Sequence, residues 1–176
     1  VVAPLGNESE YNPSTSLARM TGVVGASSVN PDGSLTSYSN YGDFVSAASV
    51  SRPYARSGIT WETGYWQGTS FASPTIASFL ALAKQSWPEA TGNQLLQALA
   101  RTGIGGNGGY WNPYTGYGAV DPYVLLTTDP SQFPDENPFL NKGYESIPTQ
   151  RDIADYADGL VDPRRINADD SYQYRG

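Results

Sequence analysis

Apolar positions change their spacing near residue 68. Before that point they come in short runs broken by turn formers. Val1 to Leu5 reads as a short buried strand ended by Gly6-Asn7, and Arg19 to Ser28 as a second strand rich in Val and small residues. Asn30-Pro31-Asp32-Gly33 then supplies a turn, with φ fixed at Pro and free at Gly. Ser34 to Ser39 and Phe44 to Val50 predict a third and a fourth strand, and Arg52 to Trp66 an aromatic, Gly-containing loop or ribbon. From Gly68-Thr69-Ser70 onward, Phe71, Ile76, Phe79, Leu80 and Leu82 recur at helical spacing up to Trp87-Pro88. That spacing predicts a core helix of about four turns. Pro74 is expected in its first turn, where a missing N–H costs nothing. A second helix is predicted from Gly92 to Arg101, with Leu95, Leu96 and Leu99 on one face, Thr91 as cap and Gly103 as stop. Gly116 to Asp121 leads into a short helix through Leu126. Further on, Thr149-x-x-Asp152 has the form of a capping box, and Ile153, Ala154, Ala157, Leu160 and Val161 make the stripe of one short amphipathic helix.

Strands first and helices second, joined by a strand-turn-helix junction, indicate an α/β layered domain. A parallel sheet buries a strand such as Val1 to Leu5 on both faces, so the chain is expected to start inside a sheet. Val1-Val2-Ala3 has no Met, basic stretch or secretory apolar region around it, and position 1 reads as a cut or processing point. The longest apolar run, Phe71 to Ala83, is interrupted and too short to cross a bilayer, so no membrane span is expected. The 176 residues suit one domain. Charge divides them unevenly: residues 1–128 carry seven acidic and five basic side chains, and residues 129–176 carry ten and five. Together with Pro130, Pro134, Pro138, Pro148 and Pro163, this predicts a body over 1–128 and an acidic, Pro-containing tail over 129–176. A net charge of −7 argues against a nucleic-acid partner held through phosphates.

Composition narrows the chemistry further. With no Cys there is no disulfide framework, thiolate metal site or cysteine nucleophile; with no His, the commonest general base is missing. The Gly105-Gly106-Asn107-Gly108-Gly109 loop lacks the Lys-Ser/Thr of a phosphate cradle. Asp152, Asp155, Asp158 and Asp162 have the spacing of a solvated helix face and form no calcium loop, so no metal and no cofactor are expected. Tyr54, Trp61, Tyr65 and Trp66 are either packing or the lining of a substrate subsite. Ser70 is the most informative residue. Between a Gly-Thr pair and a buried helix it is either a helix cap or a hydroxyl placed to attack an acyl carbon, with its own N–H facing the developing oxyanion.

The run Gly68-Thr69-Ser70-Phe71-Ala72-Ser73-Pro74 resembles the nucleophile motif Gly-Thr-Ser-x-Ala-x-Pro of subtilisin-like serine peptidases. Val1 to Asn7 is similar to that family's strand leading to a Gly-Asn pair, Thr21 to Ala26 to its Val-Gly-Ala strand, Tyr38 to Gly42 to its Phe-Ser-Asn-Tyr-Gly segment, and Gly116 to Asp121 to its closing pattern. Pro4-Leu5 and Ala48-Ser49-Val50 depart from it, which bears on the shape of the cleft. Over residues 1–128 the resemblance implies the C-terminal part of a three-layer fold with a mostly parallel sheet, with Ser70 as nucleophile and Asn7 as oxyanion donor. An Asn in that role stays unmodified, so the Asn7-Glu8-Ser9 sequon is discounted. The family's Asp and His precede this region in chain order. Lys84, about 14 residues along the helix and therefore ~21 Å away, cannot replace the base. The sedolisin relatives carry Asp where Asn7 stands. The implied partners are an N-terminal portion bearing Asp and His and a polypeptide substrate, and the implied location is extracellular or at the cell surface. The alternative is a non-catalytic interaction module or an inactive fragment.

Overall fold

The computed structural model describes residues 1–13, 16–105 and 110–140. Its centre is a parallel three-stranded sheet in the order β1 (Val2–Pro4), β2 (Val24–Val29), β3 (Ala47–Val50), with Ala3 opposite Gly25 and Ala26 opposite Ala47. Every residue of β2 is buried, as expected of a parallel strand covered on both faces. One face meets helix α1 (Thr69–Ser86) through Val24, Ala26, Ala47, Ala72 and Ile76. The other is closed by a cluster of Ala3, Leu5, Ala18, Val23, Phe44 and Val45. Gly25 belongs to that second face, where a Cβ would lie 2.2 Å from the Phe44 carbonyl oxygen. Helices α2 (Gly92–Thr102) and α3 (Pro122–Thr127) pack against α1 and complete the apolar core with Leu95, Leu99 and Leu125. Thr91 and Gln94 form a reciprocal capping box at the start of α2. A separate antiparallel hairpin, β4 (Tyr54–Arg56) and β5 (Thr63–Tyr65), joins β3 to α1.

Three expectations about local structure need correction. The second strand starts at Val24, not Arg19, because Leu17–Arg19 form a 3-10 turn and Gly22, at φ 78°, turns the chain into the strand. Ser34 to Ser39 form no strand, only a bridge between Leu35 and Val29. Their polar side chains compete with a ladder: Ser39 Oγ accepts the Ser28 N–H, and Thr36 Oγ1 donates to the Ser28 carbonyl. Pro74 is the sixth residue of α1 and lies beyond the first turn. Its missing N–H removes the donor that the Ser70 carbonyl would otherwise receive, while Phe71 N–H tightens the first turn onto the Gly68 carbonyl at 2.9 Å.

Beyond Thr128 the chain continues along α2. Pro130 and Phe139 are buried, Gln97 Nε2 donates to the Glu136 carbonyl at 2.8 Å, and Arg101 stacks over Phe133. The amphipathic helix expected around Ile153 to Val161 lies outside the described residues. Among the described residues no helix is long and apolar enough to cross a membrane.

Candidate active site

The site is built where β1 runs out beside the start of α1. Gly68 is the N-cap of α1, at φ 145° and ψ 150°, a conformation that strains a residue with a Cβ. It makes no side-chain cap, and Ser70 is the second residue inside the helix; the helix-cap reading of Ser70 therefore does not apply. The Ser70 N–H has no intrahelical acceptor at this position, and the positive end of the helix dipole is concentrated there. The Ser70 side chain is exposed.

Asn7 reaches the same turn from the loop after β1. Its Oδ1 accepts the Thr69 N–H at 2.8 Å and the Thr69 hydroxyl at 3.1 Å, and Thr69 Oγ1 in turn accepts the Gly6 N–H at 3.1 Å. With the carboxamide oxygen occupied by two donors, the amide nitrogen Nδ2 is the end left to donate outward. Leu5, Gly6, Asn7, Asn40, Thr69 and Ser70 all line one open cleft of about 270 Å³. The two residues singled out from the sequence are thus brought together although 63 positions separate them. A larger cleft, about 720 Å³ around Val1, Thr21, Asn93 and Asp135, contains neither. Lys84 is held at the far end of α1, its Nζ donating to the Pro88 and Ala90 carbonyls at 2.7 Å each. Among the described residues no group of three or more His, Cys, Asp or Glu side chains could hold a metal ion.

Three residues that shape this site lie in segments the sequence marked only by resemblance, with no role assigned to them. Thr69, fully buried, bridges Gly6 to Asn7. Asn40, 1% exposed, bonds the loop that carries Asn7. Tyr38 Oη accepts the Gly68 N–H at 3.2 Å and meets Ser28 Oγ at 2.9 Å and Ser51 Oγ at 3.0 Å, while those two serines also bond each other. Burial pushes the Tyr38 phenol up, but hydrogen bonds with Ser28, Ser51, Thr36 and Gly68 together outweigh it and hold the group below the ordinary tyrosine value. The only signal for Thr69 was its place beside Ser70. The Tyr38 to Gly42 run was marked by its likeness to a family segment, but not the roles of Asn40 and Tyr38, whose partners in the site lie about 30 residues away.

The hairpin before α1 carries the aromatic residues. Tyr54 and Tyr65 meet edge to face at 5.1 Å, Arg52 lies 5.0 Å over the Tyr65 ring, and Trp66 Nε1 donates to the Ala55 carbonyl. Trp61 and Ile59 at its tip are exposed.

The structure thus sets an asparagine, on the loop after a parallel strand, beside a serine in the first turn of the helix packed on that sheet. The family model of the subtilase family matches residues 1–119, and the chain belongs to that family. It is 31% identical over 132 residues to the halolysin-like extracellular serine protease of Natrialba magadii, covering 74% of this chain and 24% of the relative. Mycosin-1 of Mycolicibacterium smegmatis is 35% identical over 75 residues, covering 43% of this chain and 16% of the relative. A solved protease from Pseudoalteromonas arctica superposes with a TM-score of 0.57 at 28% identity, over 70% of this chain and 40% of that one. Fervidolysin from Fervidobacterium pennivorans, at 23% identity and a TM-score of 0.58 over 77% of this chain and 22% of that one, shares the fold. The chain spans a quarter or less of the length of the curated relatives it matches.

Proposed function

We propose that this chain supplies the nucleophile and an oxyanion donor of a subtilisin-like serine endopeptidase whose Asp and His belong to a portion of polypeptide outside these 176 residues. The observation that carries the reading is the clamp of Asn7 Oδ1 by Thr69, which leaves Nδ2 beside the turn holding Ser70. In the reaction, Ser70 Oγ attacks the peptide carbonyl carbon as its proton passes to the imidazole of the companion portion. Negative charge collects on the former carbonyl oxygen, where the Ser70 N–H and Asn7 Nδ2 receive it. The imidazolium returns the proton to the leaving amine as the C–N bond breaks, and water then frees the acyl group from Ser70 by the same steps in reverse order.

The sequence holds no His, so the isolated chain should be close to inert. The scale is given by subtilisin, where removal of the histidine lowers turnover by about 2 × 10⁶. Kinship with an extracellular protease supports action outside the cell. Residues 1–128 then form part of the catalytic domain, and the first residues of the acidic 129–176 stretch, with Pro130 and Phe139 buried, pack onto it. The test is labelling by a fluorophosphonate probe, with and without a polypeptide that carries the family's Asp and His. Adduct on Ser70 only with the companion supports the reading. No adduct in either sample leaves the non-catalytic interaction module or inactive fragment in its place.

A further inference from the structure

Asn40 has no place in the chemistry described above, yet it is the most completely bonded polar side chain near the cleft. An asparagine carboxamide offers two acceptor positions and two N–H donors. Asn40 uses all four, and every one goes to the loop that carries Asn7. Its Oδ1 accepts the Glu8 N–H at 3.1 Å and the Glu10 N–H at 2.8 Å, and its Nδ2 donates to the Leu5 carbonyl at 3.0 Å and to Glu8 Oε2 at 2.6 Å. Glu8 Oε2 also accepts the Asn7 N–H at 2.9 Å, so the chain of bonds ends on the backbone of the oxyanion donor. Backbone bonds run beside it: Asn40 N–H to the Gly6 carbonyl, Ser9 N–H to the Tyr38 carbonyl and Tyr41 N–H to the Glu10 carbonyl. Gly6, at φ 104°, is the counterpart on the loop, where a Cβ would fall 2.4 Å from Asn40 Nδ2.

The same segment holds the other half of the site. Two residues before Asn40, the Tyr38 hydroxyl accepts the N–H of Gly68, the N-cap of the helix that presents Ser70. A polar group at 1% exposure is retained only when its bonds are complete, and these are complete toward one loop. We propose that Asn40 is the positioning residue for the oxyanion hole: it fixes the 5–10 loop so that Asn7 Nδ2 and the Ser70 N–H face one oxygen. The proposal rests on the peptidase reading for its catalytic consequence and on the hydrogen-bond geometry alone for its structural one.

The experiment has two arms on Asn40→Asp, which keeps the shape and both acceptors but turns a donor toward the Leu5 carbonyl and the Glu8 carboxylate into an anion. In the assembled peptidase, the labelling of Ser70 by a fluorophosphonate and kcat for a peptide should each fall about tenfold or more with KM little changed, because the oxyanion donor acts in the transition state. In the chain itself, amide exchange at Thr69, whose acceptor is Asn7 Oδ1, should rise about tenfold while exchange in β2 stays as it was. Unchanged labelling and unchanged Thr69 exchange overturn the proposal. If Asn40→Asp does not fold, the wild-type chain decides: the Glu8 and Glu10 amides should exchange as slowly as those of β2, and fast exchange at both overturns it. A wild-type assembly that never labels counts against the peptidase reading, and the positioning role is then judged by the exchange data alone.

Discussion

Replacing Thr69 by Val removes one oxygen from a side chain that is fully buried between the two halves of the site. That oxygen makes two bonds, one accepted from the Gly6 N–H and one donated to Asn7 Oδ1, both at 3.1 Å. Each is worth about 1 kcal/mol net, and the Gly6 N–H, left half-buried without its acceptor, adds a desolvation penalty of about 1 kcal/mol. Thr69→Val should therefore unfold in urea with a stability lower by about 2 to 3 kcal/mol. The Thr69 N–H still holds Asn7 Oδ1 at 2.8 Å, so the donor is loosened and not lost. Full removal of such a donor costs about 10² to 10³ in turnover, and loosening should cost about tenfold in the labelling rate of Ser70. Thr69→Ser keeps the hydroxyl and should recover most of the labelling rate. A Thr69→Val chain with the wild-type urea midpoint and an assembly that labels at the wild-type rate would refute the clamp.

Other consequences follow from the same packing. Gly25→Ala pushes a methyl group to 2.2 Å from the Phe44 carbonyl oxygen, and overpacking against backbone should lower stability by about 3 kcal/mol, read as a shift of the urea midpoint. Phe139→Ala empties a site that is 2% exposed and 5.9 Å from the Tyr117 ring; a loss of about 3 kcal/mol in the same assay would show how firmly residues after Thr128 are tied to the core. Tyr38 should ionise below the ordinary tyrosine value of 10.0, seen at 295 nm as a component that disappears in Tyr38→Phe. Because its folded pKa lies below the unfolded one, ionised Tyr38 favours the folded chain only at alkaline pH. That contribution is complete above the unfolded value, is lost as pH falls through the folded value, and is absent near neutrality.

The sheet and helices were legible where one local rule sufficed. Helical spacing from Phe71 to Leu82 located α1, the Thr91 cap located α2, and short Val-rich runs located β1, β2 and the end of β3. That Ser70 and Asn7 belong to one site was an expectation of the family resemblance, since Gly-Thr before a serine or Gly before an asparagine marks by itself no more than a cap or a turn. What was missed depends on partners far away in the chain. Ser34 to Ser39 alternate like a strand, but Thr36 and Ser39 spend their hydroxyl groups on Ser28, and among the described residues the segment pairs only through the bridge of Leu35 to Val29. Asn40 and Tyr38 fall in a segment that resembles the family's, but what they hold shows only once the loop at 5–10 and the turn at Gly68 are folded against them. Pro74 was expected in the first turn, but the helix begins at Thr69 with Gly68 as its cap, which puts Pro74 sixth.

The central claim is that Asn7 and Ser70 serve one oxyanion, and the rate of Ser70 phosphonylation in the peptidase assembled with its Asp- and His-bearing portion tests it most directly. Asn7→Ala removes the acceptor of both the Thr69 N–H and the Thr69 hydroxyl and should lower stability by about 2 kcal/mol, so rates are compared under conditions where both chains are folded. The account predicts adduct on Ser70, none in Ser70→Ala, and a rate about 10² to 10³ lower in Asn7→Ala. Labelling of Asn7→Ala at the wild-type rate would contradict it.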